Sequence, residues 1–502
     1  MTNLTLLILI PLISAVMVLF CKTNAQVRGV ALMGSVIQLV LVGMLAVSFY
    51  AAREAGDLAP MLFEYRSSWY PAFHIEYHVG IDGISLLMLL MTAFVVVSGI
   101  LLSFKIEQLT KEFFFLLLML SMGAYGFFIS LDLFTMFFFL EIAVIPKFLL
   151  IAIWGSGKKE YSAMKLALML MAGSALVLVG ILITYFVAVG PDGQHTFDLM
   201  QLAQVQLPFE WQRIIFPLLF VGFGVFTALF PFHTWVPDGH SSAPTAASMF
   251  LAGISMKLGG YGCLRVATYL MPEAAAYYSW VIVLLATIAI LYGAFATLMQ
   301  KDLKYINAYS SVSHCGFILL GIGMLTKTAL IGAVMQMVSH GVMTALFFGA
   351  IGMLYERTHT RQVSELGGLL KSIPFISSMY IIAGLCSLGL PGFSGFVSEM
   401  TIFMGAWQRE GVFYKVATIL ACASIVVTAV YILRAAGKAV MGPIENDAFK
   451  NLPDATWNEK IASVLLTVAV LAIGLAPFWL INLVSGDVQL IMENLTRGAI
   501  GN

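Results

Sequence analysis

About 14 times along this chain, a run of roughly 20 residues is almost wholly apolar. At 1.5 Å rise per residue, such a run crosses a hydrocarbon layer about 30 Å thick. Inside hydrocarbon every backbone N–H and C=O must be paired within the protein, so a spanning segment is either a helix or part of a closed barrel. The runs are continuous and do not alternate polar with apolar, which selects helices. Of the 502 residues, 60% are hydrophobic and only 10% are charged, against about 25% charged in soluble domains. The expected fold is therefore an all-α polytopic membrane bundle. Its spans, numbered 1 to 14, lie near 3–21, 29–51, 82–104, 113–130, 132–154, 163–189, 212–232, 243–270, 276–299, 303–325, 328–354, 373–407, 414–438 and 460–485.

The first run precedes its first cation, Lys22, whereas a signal peptide carries positive charge before its apolar stretch. It reads as a retained span. Loops after odd-numbered spans carry a roughly two-to-one excess of Lys and Arg over the other side. Short positive loops stay cytoplasmic, so both termini are expected on the outer face, together with the long acidic segment 52–81. Net charge is zero, which implies no nucleic-acid partner. The five cysteines are far apart and contain no Cys-x-x-Cys, which argues against an iron–sulfur or zinc site. No Gly-rich nucleotide loop follows a strand-like run, so NADH, flavin and ATP sites are not expected.

Two spans are interrupted. Residues 212–244 contain Pro217, Pro231 and Pro237, and residues 373–407 contain SLGLPGFSGF. Proline removes a backbone donor and breaks a helix, which a bilayer tolerates only where the freed carbonyls face protein or water. The two breaks fall five spans apart, in spans 7 and 12. Because five is odd, that spacing suggests two five-helix repeats of inverted topology, spans 4–8 and 9–13. The expected divisions are 1–104 for the first three spans and outer loop, 105–270 and 271–440 for the repeats, and 441–502 for an inner loop and span 14.

Ionisable residues inside the runs mark the chemistry. Glu141, Lys147, Lys257 and Glu399 each lie within an apolar stretch, where an unpaired charge costs about 3 kcal/mol or more. Lys257 sits at mid-span beside Gly259 and Gly260. Desolvation favours its uncharged amine, so it is poised to hold and release a proton; the bland reading is a lysine that snorkels to an interface. Glu141 responds to burial and to any neighbouring cation in opposite senses, so moving that cation switches its proton affinity. The alternative is a static ion pair. Glu399 follows the second break and is either an end-of-path gate or a residue that orders the half-helix there. His314 and His340, in adjacent spans 10 and 11, suggest a relay, although buried histidines are often structural. No carboxylate or cysteine accompanies them at ligand spacing, so a metal site is not expected. His233, Asp238, His240 and Ser241 in HTWVPDGHSSAPT lack the elbow of a hydrolase and read as a break between half-helices.

The segments LEIAVIP, PFHTWVPDGHSSAPTAASMFLAGISMKLGGYGCLR, QKDLKYINAYSSVSHCGF, LYERTHTRQVSELGGL and LPGFSGFVSE, spread over roughly 80–440, resemble the antiporter-like membrane subunits of bacterial respiratory complex I, the proton-translocating NADH:quinone oxidoreductase. That family is shared with Mrp-type cation/proton antiporters. LYERTHTR and a glutamate at position 399 resemble the M-type subunits more than the L or N types. The resemblance implies proton translocation through Glu141, Lys257, His314, His340 and Glu399. It implies no cofactor in this chain, with NADH, FMN, iron–sulfur clusters and quinone in partner subunits. It implies the related L and N subunits and lipids as partners, and the bacterial inner membrane as location. The chain departs from the family at Phe226, five residues before Pro231, where a lysine is usual. Lys147, at a position usually uncharged, is the candidate substitute, although i and i+6 are about 120° apart on an ideal helix. Other readings are an Mrp-type antiporter subunit, a structural complex I subunit that has lost pumping and, less well matched, a membrane-bound hydrogenase subunit.

Overall fold

A computed structural model describes residues 3–190, 193–444 and 446–500, with the side chains of 498–500 left aside. The first and last two residues of the chain therefore lie outside the described part of the expected blocks 1–104 and 441–502. Helices dominate. In chain order they are α1 Leu6–Phe20, α2 Asn24–Glu54, α3 Gly83–Leu102, α4 Thr110–Ile129, α5 Leu133–Trp154, α6 Lys159–Val187, the single turn α7 Leu199–Leu202, and α8 Phe209–Phe226. There follow α9 Trp235–Ser242, α10 Thr245–Phe250, α11 Met256–Gly262, α12 Pro272–Leu298, α13 Leu303–Gly323, α14 Lys327–Thr358, the single turn α15 Leu369–Ser372, α16 Pro374–Ser387, α17 Ser394–Gln408, α18 Val412–Ala439, α19 Trp457–Leu475 and α20 Phe478–Ile500. Ten of these helices are long and apolar enough to cross a membrane singly. The rest of the expected spans are the shorter α1, the more polar α13 and two segments made of consecutive pieces, α10 with α11 and α16 with α17; α8, one of the ten, is continued past its break by α9.

The interruptions fall where proline and glycine put them. Residues 227–234 separate α8 from α9, and Ala228 there has a positive φ of 67°. Residues 388–393 separate α16 from α17, with Gly389 and Gly392 at φ of 75° and 96°. Between α10 and α11, and again over Cys263–Thr268, the helix loosens into π-turns. Such turns misalign one set of backbone bonds and often occur at functional sites.

Two features depart from the sequence reading. The outer segment 52–81 holds an antiparallel hairpin, β1 Leu62–Tyr70 with β2 Ile75–Ile81. Span 14, expected to run to 485, ends at Leu475; Ala476 leaves helical geometry ahead of Pro477, and α20 begins afresh. Proline disfavours helix in the residue before it, but the apolar run LAIGLAPFWLINLV continues across the boundary and hides it. Helix α20 lies across the hairpin end of the bundle. Its Leu480, Val484, Val488 and Ile491 are buried. The Asp487 carboxylate accepts from the Gly83 N–H at 2.7 Å, and Asn494 donates to the Tyr269 carbonyl. Beneath it, buried Arg265 pairs with Asp82, and Arg53 reaches Asp487 at 3.5 Å.

The hairpin is clasped by charge. The His78 imidazole meets Asp198 at 2.7 Å and Glu64 at 3.1 Å, and Arg66 meets Asp198 at 2.9 Å. Burial alone would lower the His78 pKa, but the Asp198 and Glu64 carboxylates outweigh it and hold it above the ordinary 6.5. Burial would raise Asp198, but His78, the Gln201 N–H and Arg66 hold it below the ordinary 3.8. A raised imidazole stabilises the fold below its ordinary value and ceases to as pH rises through its folded one; a depressed carboxylate does so above its ordinary value and ceases to as pH falls. The clasp is therefore complete between about pH 3.8 and 6.5. Hydrogen exchange over 62–81, corrected for intrinsic rates, should quicken as pH climbs through the His78 titration, and His78→Gln should remove that dependence. Arg265→Gln leaves Asp82 buried without its cation and should lower stability by about 3–5 kcal/mol. Lys105→Gln, at a half-exposed pair with Glu356 and Glu459, should cost about 1 kcal/mol or less. Thermal denaturation in detergent checks both.

Candidate functional site

Lys257 is fully buried on α11, just after the π-turn Leu251–Ser255. Its ammonium turns back to the Ala252 carbonyl and forms a 2.7 Å hydrogen bond with His340 Nδ1 on α14. Gly259 lets α11 pack directly on the first break: a Cβ there would overlap Thr227 and the Phe223 carbonyl. His340 lies against His314 of α13, ring centroids 5.4 Å apart. His314 Nε2 is 3.0 Å from Ser387 Oγ, and Nδ1 is 3.2 Å from the Glu399 carboxylate. Glu399 is 4% exposed and sits over the second break, its Oε2 2.9 Å from where a Gly389 side chain would begin. The row Lys257–His340–His314–Glu399 is thus continuous through one hydrogen bond, one ring contact and one contact at ion-pair distance. Each contact joins two groups able to share a proton, and His340 Nε2 stays without a protein partner. A buried polar atom of this kind calls for water.

Glu141 and Lys147 form a second group on α5. Lys147 is fully buried, and its ammonium stands 5.6 Å from the centre of the Phe226 ring. It does not fold back along its own helix. It reaches across to α8 and brings positive charge to the ring of Phe226 itself. Helix α5 is continuous through Pro146, so Lys147 comes to Phe226 by sideways reach and not by a break in α5. Glu141 interacts electrostatically with Lys147, yet no ion pair within 4.0 Å joins them among the described residues. Lys147 Nζ and Glu141 Oε1 both lack a protein partner. Nor does any hydrogen bond or ion pair among the described residues link Lys147 to Lys257.

The sequence reading set aside one residue that the structure brings into the site. His240 on α9 is fully buried, stacked on Phe348, with neither ring nitrogen paired. Lys257 and Lys304 both act on it electrostatically. Lys304 is itself buried and donates to the Ala243 carbonyl at 2.7 Å. Beyond them a cleft of about 680 Å³ opens at the end of the bundle opposite the hairpin, lined in part by Asp238, Ser241 and Arg361. The signal was the second histidine of HTWVPDGH: a polar ring in a half-helix, six residues ahead of the unbroken buried run 246–268. His233 and Asp238 do not join this row. His233 stacks on Phe230, and Asp238 pairs with Lys165 at 2.7 Å. Among the described residues no group of three His, Cys, Asp or Glu side chains is placed to hold a metal ion.

Residues 130–428 match the family model described as NADH:quinone oxidoreductase/Mrp antiporter, transmembrane. The chain belongs to this family. A relative named NADH-quinone oxidoreductase subunit M, from Rickettsia conorii, is 33% identical over 492 residues, covering 96% of this chain and 97% of the relative. A relative named NAD(P)H-quinone oxidoreductase chain 4-2, from Synechocystis, is 35% identical over 435 residues, 86% of this chain and 76% of the relative. Respiratory complex I from Thermus thermophilus contains a chain that superposes with a TM-score of 0.88 at 26% identity, over 98% of this chain and 99% of that one. A chain of the Mrp complex from Dietzia superposes at 0.82 with 19% identity, over 98% and 99%, a likeness of fold alone. Within the family, the contact between His314 and Glu399 is open to a direct test. A double-mutant cycle with His314→Ala and Glu399→Gln should show a coupling of about 0.6–1.7 kcal/mol, read from unfolding in detergent. Strict additivity would deny the contact.

Proposed function

We propose that this chain carries protons through the buried row Lys257–His340–His314–Glu399, under the control of Glu141 and Lys147. The chain is an antiporter-like, proton-translocating membrane subunit of an NADH:quinone oxidoreductase, and redox chemistry belongs to other subunits of that complex. The observation that carries the reading is the continuity of the row: four ionisable side chains in contact, buried in a bundle whose other contacts are mostly apolar. An Mrp-type role has no observation in its favour beyond the shared fold.

The path runs as follows. A proton enters from the cleft beside Asp238 and Ser241 and passes His240 to Lys257. The bond to His340 lets it move along the ring pair to Glu399. Lys147 supplies the positive charge that the family usually places at position 226. At 4–8 Å and an effective dielectric of 20, a unit pair is worth about 2–4 kcal/mol. That is enough for a shift of Lys147 to change the charge state of Glu141, and with it the field felt by the row. The cleft faces the cytoplasm, and the hairpin, α20 and both termini face outward from a bacterial inner membrane. The chain crosses that membrane 14 times, with L- and N-type subunits as neighbours.

Inverted repeats underlie this arrangement, and backbone contacts support them. Asp132 caps α5 through the Thr135 N–H, and Leu133 N–H donates to Phe197, in the segment after α6. Asp302 caps α13 through the Lys304 N–H, and Leu303 N–H donates to Arg361, in the segment after α14. The same device recurs one repeat later, at the opposite end of the bundle.

The test uses the whole complex in vesicles with NADH as electron donor. Lys257→Met should abolish the proton yield due to this subunit. Lys147→Met should depress it while quinone reduction continues, and Lys147→Met with Phe226→Lys should restore it. Full proton yield in all three would mean a structural subunit.

A further inference from the structure

A groove between α12 and α18, at the end opposite the hairpin, has no part in the proton path. It holds about 350 Å³ and is lined by Lys301, Arg434 and Lys438 together with Met299, Ser364 and Ala435. Among the described residues no acidic side chain lines it. Elsewhere at this end the protein answers many of its own cations: Arg357 is paired with Glu459, Arg361 with Asp302, and Lys165 with Asp238. Lys301, Arg434 and Lys438 have no carboxylate within ion-pair distance among the described residues. Two of them are four residues apart on α18 and so share one face. Gly437 between them leaves open space where a side chain would stand.

The rim is built. Arg434 donates to the Leu298 carbonyl and ties α18 to the last turn of α12, and the Val363 N–H donates to the Lys301 carbonyl at 2.9 Å. Above the rim, Phe295 of α12, Met299 just past its end, and Val426, Val430 and Leu433 of α18 are exposed large apolar side chains. A continuous apolar track therefore leads into a pocket with three uncompensated cations. That combination matches one molecule in both halves: acyl chains along the track and a phosphate among the cations. Basic pockets between membrane helices hold anionic headgroups on this principle.

We propose that this groove is a binding site for an anionic phospholipid, its phosphate held by Lys301, Arg434 and Lys438. The site lies outside the buried row and does not depend on pumping. The test is native mass spectrometry of the purified complex, titrated in detergent with phosphatidylglycerol or phosphatidylcholine of the same chains. Phosphatidylglycerol should bind and phosphatidylcholine should not. Each basic residue near an anionic headgroup contributes about 1 kcal/mol, so Lys301→Gln with Lys438→Gln should weaken binding about 30-fold. That variant leaves the Arg434 tie intact. Lys371→Gln, at the same end but outside the groove, should change nothing. Equal affinity for the two lipids would overturn the proposal. So would unchanged affinity in the double variant, or displacement by inorganic phosphate at matched concentration, which would mark a free-anion site instead.

Discussion

A charge in hydrocarbon must be met by another polar group, and most of what distinguishes this chain follows from how that demand is met. Where the protein answers it completely, the result is rigid. Arg357 on Glu459, with further donation to the Pro453 and Asp454 carbonyls, is a buried pair that fastens α19 to the bundle. Where the protein answers it in part, the groups remain adjustable. Lys147, Glu141, His240 and His340 each keep a buried polar atom without a protein partner. Incomplete satisfaction is costly in a fixed structure and useful in a conducting one, because the missing partner is then a mobile water or a proton.

Helix breaks serve the same end. At residues 227–234 and 388–393 the ladder of backbone bonds is interrupted, and the site is assembled against those interruptions. Gly259 lets α11 close on the first, and Glu399 lies over the second. The π-turn before Lys257 presents a carbonyl to its ammonium. Polar side chains inside the spans are thus gathered around these breaks, while large apolar side chains cover much of the outer surface.

Much of this was legible in the sequence because burial in lipid leaves a strong signature. Runs of 20 apolar residues cannot hide, and a lysine such as Lys257 inside one stands out by residue type alone. The breaks were visible through Pro231 and Pro391. The Phe226 departure was visible only against the family pattern, and it pointed to Lys147. What the sequence did not disclose lies where apolar patterning is uninformative. The hairpin at 62–81 is short and mostly exposed on β1, so it lacks a clean alternation. The end of α19 is masked by apolar residues on both sides of Pro477. His240 was visible but sat in a motif with more than one reading, and only the folded structure shows it buried, with both ring nitrogens unpaired and in the field of Lys257 and Lys304. The direction in which Lys147 reaches was also beyond one-dimensional reasoning: six residues along a helix argue against a meeting with Glu141, whereas the neighbouring α8 supplies the place where the charge is delivered.

The central claim is that Lys147, delivered to Phe226, sets the charge state of Glu141. Isotope-edited infrared spectroscopy of the reconstituted complex, with glutamate carboxyls labelled, reads that state directly. Lys147→Met should change the labelled carboxyl spectrum, and Glu141→Gln in the same background should remove that change. An unchanged carboxyl spectrum on loss of the Lys147 charge would contradict the claim.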